Sequence, residues 1–343
     1  CIRDSPESEQ FANRLRKNAR LRRKWAKREG VSCYRVYDAD LPDYSAAIDL
    51  YEGCPQTPGR WLVIAEYAAP KTIDPALAQA RMLDILAIAP RILDVPAEHV
   101  HAKARMRSRG GSQYGKQGAG KGASGERANI ARRRLPLIEE GGLTFAVNFD
   151  DYLDVGIFLD HRVTRNLVRE HAKQARRFLN LFAYTGGATC ACLKSGAHVT
   201  HVDAARGMVA WAKENAALCG VQDAPARYLV DDCVKFVQRE LRRGSRYDGI
   251  VMDPPSYGRG PGGELWKIED SLYPLVEACA RLLSDRPAFF LINSYTTGLA
   301  PTVLRDVLRV ALPDGHAEAG EVGLPIRRGG LVLPCGAAGR WTP

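Results

Sequence analysis

From residue 165 onward the chain alternates between helix-like stretches and short apolar runs, and this rhythm most tightly constrains its fold. "TRNLVREHAKQA" reads as a helix, "RRFLNLFAYTGG" contains a strand, "ATCACLKSG" is helical again and "AHVTHVDA" returns to strand. "RGMVAWAKENAALCG" is a helix with a glycine stop. "ARYLVDD", "YDGIVMDPP" and "AFFLINSY" are strands separated by further helical stretches. Apolar strands joined by helices form a parallel sheet covered on both faces. The pattern predicts an α/β, Rossmann-like, doubly wound, mostly parallel sheet over residues 151–343.

In an open parallel sheet, ligands bind at the carboxyl ends of the strands, near the point where the strand order reverses. "NLFAYTGGAT" ends the first strand with Tyr184, Thr185, Gly186 and Gly187, where absent Cβ atoms let the backbone approach a ligand. G-x-G-x-x-G is missing, which argues against a dinucleotide pyrophosphate site. The second strand ends in Asp203, 17 residues after Gly186, where an acid accepts from both ribose hydroxyls of an adenosine. The third ends in "VDDC", whose Asp232 either accepts from an adenine amino group or caps the helix "CVKFVQREL". The fourth ends in "VMDPPSYG". Pro254 and Pro255 fix φ and cannot donate to a ladder, so they belong past the strand end. Asp253, Pro254, Pro255 and Ser256 read either as a turn with a solvated acid or as a rigid shelf holding a flat group beside a reactive centre.

Charge divides the rest of the molecule. The net charge is +10, but residues 1–30 alone hold ten Lys/Arg against four Asp/Glu, and residues 101–134 hold ten against one. Two concentrated basic blocks point to a polyanion, and to nucleic acid first. Residues 1–30 form a basic amphipathic helix with Phe11, Leu15, Ala19 and Trp25/Ala26 on one stripe, ended by Gly30. Residues 31–150 read as a small α+β domain for RNA recognition. Its Gly-rich basic loop, 108–134, has too little apolar surface to order by burial. Lys103, Arg105 and Arg107 with Gln113 and Tyr114 suit contacts to phosphates and a stacked base.

The nine cysteines include no C-x-x-C pair, so no metal site is expected, and they read as small core residues of a reduced, cytoplasmic protein. No apolar run reaches the roughly 18 to 20 residues that span a bilayer, and no membrane partner is expected. The first residue is not Met, which suggests part of something longer.

"NLFAYTGGAT", "VDAARGMVAWAKENAALCG" and "MDPPSYG" resemble the class I S-adenosylmethionine-dependent methyltransferases of 23S ribosomal RNA. "FANRLRKN", "CYRVYDADLPDY", "APKTID" and "DYLDVGIFLDHR" narrow the resemblance to the RlmK type, the guanine-N7 methyltransferase half of the fused RlmKL protein. From "GRGPGGELWKIED" to "LVLPCGAAGRW" the tail is more similar to stand-alone relatives. The resemblance implies a seven-stranded methyltransferase sheet, S-adenosylmethionine as cofactor, 23S rRNA as partner and a fused methyltransferase preceding this chain. It implies that Asp160 and Arg162 lie over the methionine end of the cofactor, Arg162 pairing with its carboxylate. Asn180, Phe182, Ala183, Tyr184, Thr185 and Gly186 would form the floor, Asp203 and Ala204 would hold the ribose, and Asp232 with Cys233 would face the adenine. Asp253 to Tyr257 would line the base pocket. Asp160 reads equally as a helix cap before "HRVTRNLVRE".

Cytosine-C5 transfer needs a thiolate that attacks the ring. "LINSYTT", after the fifth strand, carries Asn293, Ser294 and Tyr295 but no thiol. Exocyclic-amine relatives use an N-P-P-Y shelf, where this chain has Asp253 and Ser256 instead. Guanine N7 already carries a lone pair, so alignment alone serves it. The chain therefore reads as an rRNA guanine-N7 methyltransferase. Cytosine-C5 or guanine-N2 transfer and a non-catalytic RNA-binding assembly factor are the alternatives.

Overall fold

The computed structural model describes residues 6–68, 72–105, 135–152, 154–174, 176–260, 262–325 and 331–343. Their contacts divide the chain into two units, with the break between Val155 and Gly156.

The first unit opens with helix α1 (Pro6–Glu29) and strands β1 (Tyr34–Asp38), β2 (Ala46–Glu52) and β3 (Arg60–Tyr67). Helix α2 (Pro75–Leu93) and strand β4 (Val100–Arg105) follow, then a ribbon of β5 (Leu137–Glu140) and β6 (Leu143–Ala146). The four-stranded sheet has the order β1-β2-β3-β4. The first three strands pair antiparallel, and β4 lies parallel to β3 because α2 returns the chain to the starting edge. Asp74 starts α2 by accepting from the Ala76 N–H at 2.9 Å, beside a Pro75 that has no N–H to satisfy.

The apolar stripe of α1 is anchored in this unit's core. Phe11 and Leu15 are fully buried, and the Phe11 ring stacks on Tyr44 at 4.7 Å and meets Tyr37 edge-on at 5.2 Å. Two such side chains bring roughly 3–6 kcal/mol of burial. Among the described residues of the apolar-rich stretch "LTFAVNFDDYLDVGIFLDHR", only Leu143–Ala146 form a strand, β6. The Asn148 side chain accepts from the Asp150 and Asp151 N–H groups at 3.0 and 3.1 Å, turning the backbone out of a ladder.

The second unit holds α3 (Arg162–Ala172), β7 (Arg177–Leu181), α4 (Gly187–Lys194), β8 (His198–Asp203), α5 (Arg206–Leu218) and β9 (Ala226–Val230). It continues with α6 (Cys233–Arg242), β10 (Gly249–Met252), a short hairpin of β11 (Tyr257–Arg259) and β12 (Leu265–Lys267), and α7 (Ile268–Ala280). Strand β13 (Phe289–Ser294), α8 (Pro301–Ala311), β14 (His316–Pro325) and β15 (Val332–Thr342) complete it.

Seven strands form one sheet in the order β14-β15-β13-β10-β7-β8-β9. β13, β10, β7, β8 and β9 are mutually parallel, and β15 is antiparallel to both β13 and β14, so it alone runs against the others. One face buries Ile250, Met252, Phe290 and Ile292 against Phe236, Val276 and Leu304 of the covering helices. The chain steps outward from β7 to β8 and β9, then crosses back to β10 on the other side of β7. The order therefore reverses between β7 and β10, the point at which open α/β sheets place their ligands, outside the carboxyl ends of the strands.

Candidate functional site

Among the described residues of the second unit, only the turn after β7 places non-glycine residues at positive φ. Phe182, Tyr184 and Gly186 adopt positive φ of 52°, 50° and 81°. The two aromatic residues cost about 1–2 kcal/mol each in this conformation. Neighbouring elements hold them there. The Cys233 sulfur accepts from the Phe182 N–H at 3.3 Å, Val202 O from Ala183 N at 3.1 Å, and Asp203 Oδ2 from Tyr184 N at 2.9 Å. The Thr185 hydroxyl donates to Gly156 O at 2.6 Å, and the Asn215 amide donates to Thr185 O at 2.8 Å. At Gly186 a Cβ would lie 2.8 Å from that of Ala212, so only glycine fits both the angle and the space.

Asp203 ends β8 with its carboxylate buried. Oδ1 accepts from Ala205 N at 2.8 Å and Oδ2 from Tyr184 N, leaving a second lone pair on each oxygen. Burial raises its pKa, and the two backbone donors pull it back. Ala204 beside it is exposed. Asp232 caps α6, Oδ1 accepting from Lys235 N at 2.9 Å, which realises the capping reading; its Oδ2 lies against Gly260.

Cys233 is buried, and desolvation raises its thiol pKa well above the ordinary value. Cys279 is likewise buried and its pKa raised. Neither supplies a thiolate near neutral pH.

At the tip of β10, Asp253 N donates to Leu181 O at 3.3 Å. The Asp253 side chain keeps 24% of its surface open, yet the surrounding walls desolvate the carboxylate and raise its pKa. His161 Nδ1 stands 3.9 Å away and works in the opposite direction. The shelf beyond is pinned at three points. Pro255 O accepts from the Trp266 indole at 2.6 Å, Ser256 O from Ile268 N at 3.1 Å, and the Ser256 and Thr296 hydroxyls share a hydrogen bond at 2.7 Å. This is a braced segment, not a solvated turn.

Asp160 is not the cap of α3. His161 occupies that position without a side-chain capping bond, and Asp160 is buried, accepting from the Tyr295 hydroxyl at 2.7 Å. Tyr295 also stacks on His161 at 5.2 Å and on Phe158 at 6.0 Å. Arg162 is half-buried at the first turn of α3. Asn180, expected in the floor, is buried within β7 and donates to the Thr189 hydroxyl at 2.9 Å, so its amide serves the layer below. Phe182 rests its ring on Trp266, 5.1 Å between centroids.

The residues expected to contact RNA lie in the first unit or outside the described residues. Lys103 is buried and its ammonium donates to Tyr152 O, so it is no surface cation; desolvation lowers its pKa. Arg105 ends β4, while Arg107, Gln113 and Tyr114 fall outside the described residues. Among the described residues no group of three or more His, Cys, Asp or Glu is placed to hold a metal ion, and no helix is long and apolar enough to cross a membrane.

The pattern of the sequence assigns no part in the site to His161, Thr296 or Trp266, and marks Tyr295 only as a position without a thiol. The one signal pointing to Tyr295 and Thr296 was their place just past a strand end, on the same edge of the sheet as the acids.

The donor set suits an adenosyl sulfonium. The buried Asp203 keeps free lone pairs for vicinal hydroxyls, and Asp160, Asp232 and Asp253 line the same edge with negative charge for a cationic ligand. A family model described as S-adenosylmethionine-dependent methyltransferase matches residues 67–267. "Ribosomal RNA large subunit methyltransferase K/L" of Methylococcus capsulatus is 41% identical over 90% of this chain and 40% of that relative. The protein of the same description from Allochromatium vinosum is 39% identical over 92% of this chain and 41% of its own length. This chain thus spans about 40% of the curated relatives it matches. A crystal structure of the SAM-dependent methyltransferase from Agrobacterium tumefaciens is 26% identical, with a TM-score of 0.67 over 91% of this chain and 90% of its own. The sheet order, the acid-lined strand tips and these matches agree: the chain belongs to the S-adenosylmethionine-dependent methyltransferases.

Proposed function

We propose that this chain methylates a base of 23S ribosomal RNA at guanine N7. When bound, S-adenosylmethionine supplies a methyl group on a sulfonium, an electrophile that needs only a lone pair in line with it. In this reading Asp203 holds the ribose hydroxyls and Asp232, through the oxygen not used in capping, faces the adenine. Asp160, held by Tyr295, and Arg162 bind the methionine end. The shelf from Asp253 to Ser256 receives a base withdrawn from its stack, at a cost of a few kcal/mol. Asp253 accepts from the base N–H groups and orients it, and no residue takes a proton from N7.

The observation that carries the N7 reading is the state of the thiol at the strand tips, that of Cys233. It is buried and its pKa is raised well above the ordinary value, which suits a nucleophile-free transfer and disfavours cytosine C5. The names of the relatives at about 40% identity support the ribosomal substrate. Nucleoside mass spectrometry of 23S rRNA from a strain lacking the gene should show loss of one 7-methylguanosine, restored by this chain and S-adenosylmethionine. Restoration of N2-methylguanosine or 5-methylcytidine instead would overturn the N7 assignment. An unchanged profile, with cofactor affinity intact, would point to an assembly factor.

A further inference from the structure

Helix α1 lies outside the residues 67–267 matched by the family model, and its outer face is strongly basic. Arg16, Lys17, Arg20, Arg23, Lys24 and Lys27 are all exposed. At 100° per residue they fall within about a third of the helix circumference, opposite the buried Phe11, Leu15 and Ala26. They extend over about 16 Å of axis. Among the described residues none of the six is in an ion pair; Arg14 and Arg28, beside the stripe, take the acids Asp40 and Glu29.

Within the stripe Arg16/Arg20, Arg20/Lys24 and Arg23/Lys27 are like-charge neighbours four residues apart, which weaken a helix in isolation. Lys27 is accounted for by the last helical turn, where cations complement the macrodipole. The other five lie too far from that end to gain from it. A face meant only for solvent would interleave acids, yet the acids of α1 stand at its two ends, Glu7 and Glu9 in the first turn and Glu29 in the last. The helix is also rigidly mounted, since its opposite stripe is part of the core. Fixed, unpaired, closely spaced cations favour a backbone of evenly spaced negative charges.

We infer that the outer face of α1 is a docking surface for the phosphate backbone of the substrate RNA. This rests on the rRNA methyltransferase reading above for the identity of the polyanion.

The test uses the full 343-residue chain carrying Lys17→Gln, Arg20→Gln and Lys24→Gln together, with in vitro transcribed 23S rRNA as probe. A charge-preserving Lys17→Arg, Arg20→Lys, Lys24→Arg variant is the control. With single-strand contacts worth about 0.7 in the slope of log affinity against log salt, the neutralised protein should lose about two from that slope. The same arithmetic gives about a hundredfold weaker RNA binding at 0.1 M salt. S-adenosylmethionine affinity and thermal midpoint should match wild type, and the control should keep the full slope. An unchanged RNA affinity and slope in a folded, cofactor-binding variant would overturn the inference. So would loss of binding to phosphatidylserine vesicles with RNA binding intact. Failure of the enzymatic reading looks different: the wild-type protein would bind the RNA with a steep salt slope that α1 neutralisation flattens, yet add no methyl group to it.

Discussion

Two neighbouring edges of the second unit are held rigid by opposite means. After β7, the segment from Phe182 to Gly186 takes three left-handed residues and relies on Asp203, Cys233, Val202, Asn215 and Gly156 to keep them there. After β10, the shelf from Asp253 to Ser256 has little freedom to lose, because two consecutive prolines fix φ before any hydrogen bond forms. The first edge stores strain and depends on its surroundings; the second is stiff by covalent structure and only braced by Trp266, Ile268 and Thr296. The two edges therefore differ in fragility. A single substitution can undo the first edge, whereas the second should degrade by degrees.

The largest effect is expected at Gly186→Ala. The left-handed penalty of about 1–2 kcal/mol adds to overpacking against Ala212 of about 1–3 kcal/mol. Urea denaturation should show a loss of about 2–5 kcal/mol, and a loss below 1 kcal/mol would mean the turn tolerates a Cβ. Next comes Asp203→Asn. The amide keeps one acceptor but turns a donor toward the Tyr184 or Ala205 N–H, which is worth about 1–3 kcal/mol. Titration calorimetry should find S-adenosylmethionine bound roughly ten- to a hundredfold more weakly, and wild-type affinity would show that the strained turn stands without this acid.

Pro254→Ala tests the other edge and should cost only about 0.4–1 kcal/mol, mostly by enlarging the freedom of the unfolded chain. A loss as large as that of Gly186→Ala would erase the contrast between the two edges. The smallest effect concerns Asp253 and pH. Burial raises its folded pKa above the unfolded value, so the native state holds the extra proton between those two values and stability falls as pH rises through that window. Asp253→Asn should therefore raise Tm at pH 7 and leave it unchanged below about pH 3, while activity drops. A lower Tm at pH 7 would mean that the carboxylate gains more from His161 than it loses to desolvation.

Much of the candidate site was legible because its residues sit at strand ends, and strand ends are visible as boundaries between apolar runs and polar or Gly/Pro residues. Asp203, Asp232, Asp253 and Gly186 were located in this way. Asn180, which the resemblance placed in the floor, spends its amide on Thr189, a partner that only the folded chain supplies. Lys103 misled because a cation in a basic block reads as surface, and nothing local reveals that Tyr152, 49 residues on, supplies a buried carbonyl for it.

The amino-acid sequence by itself determined the βαβ rhythm, the parallel sheet and the placing of acids at its carboxyl edge, since these follow from local periodicity and from prolines and glycines that restrict the backbone within a few residues. Tertiary structure alone decided that Phe182 and Tyr184 turn left-handed without being glycine, that Tyr295 reaches Asp160 across 135 residues, and that β15 inserts antiparallel between β13 and β14. Each of these depends on groups far apart in the chain, whose combined hydrogen bonds and burial outweigh the local preference of the residues they constrain.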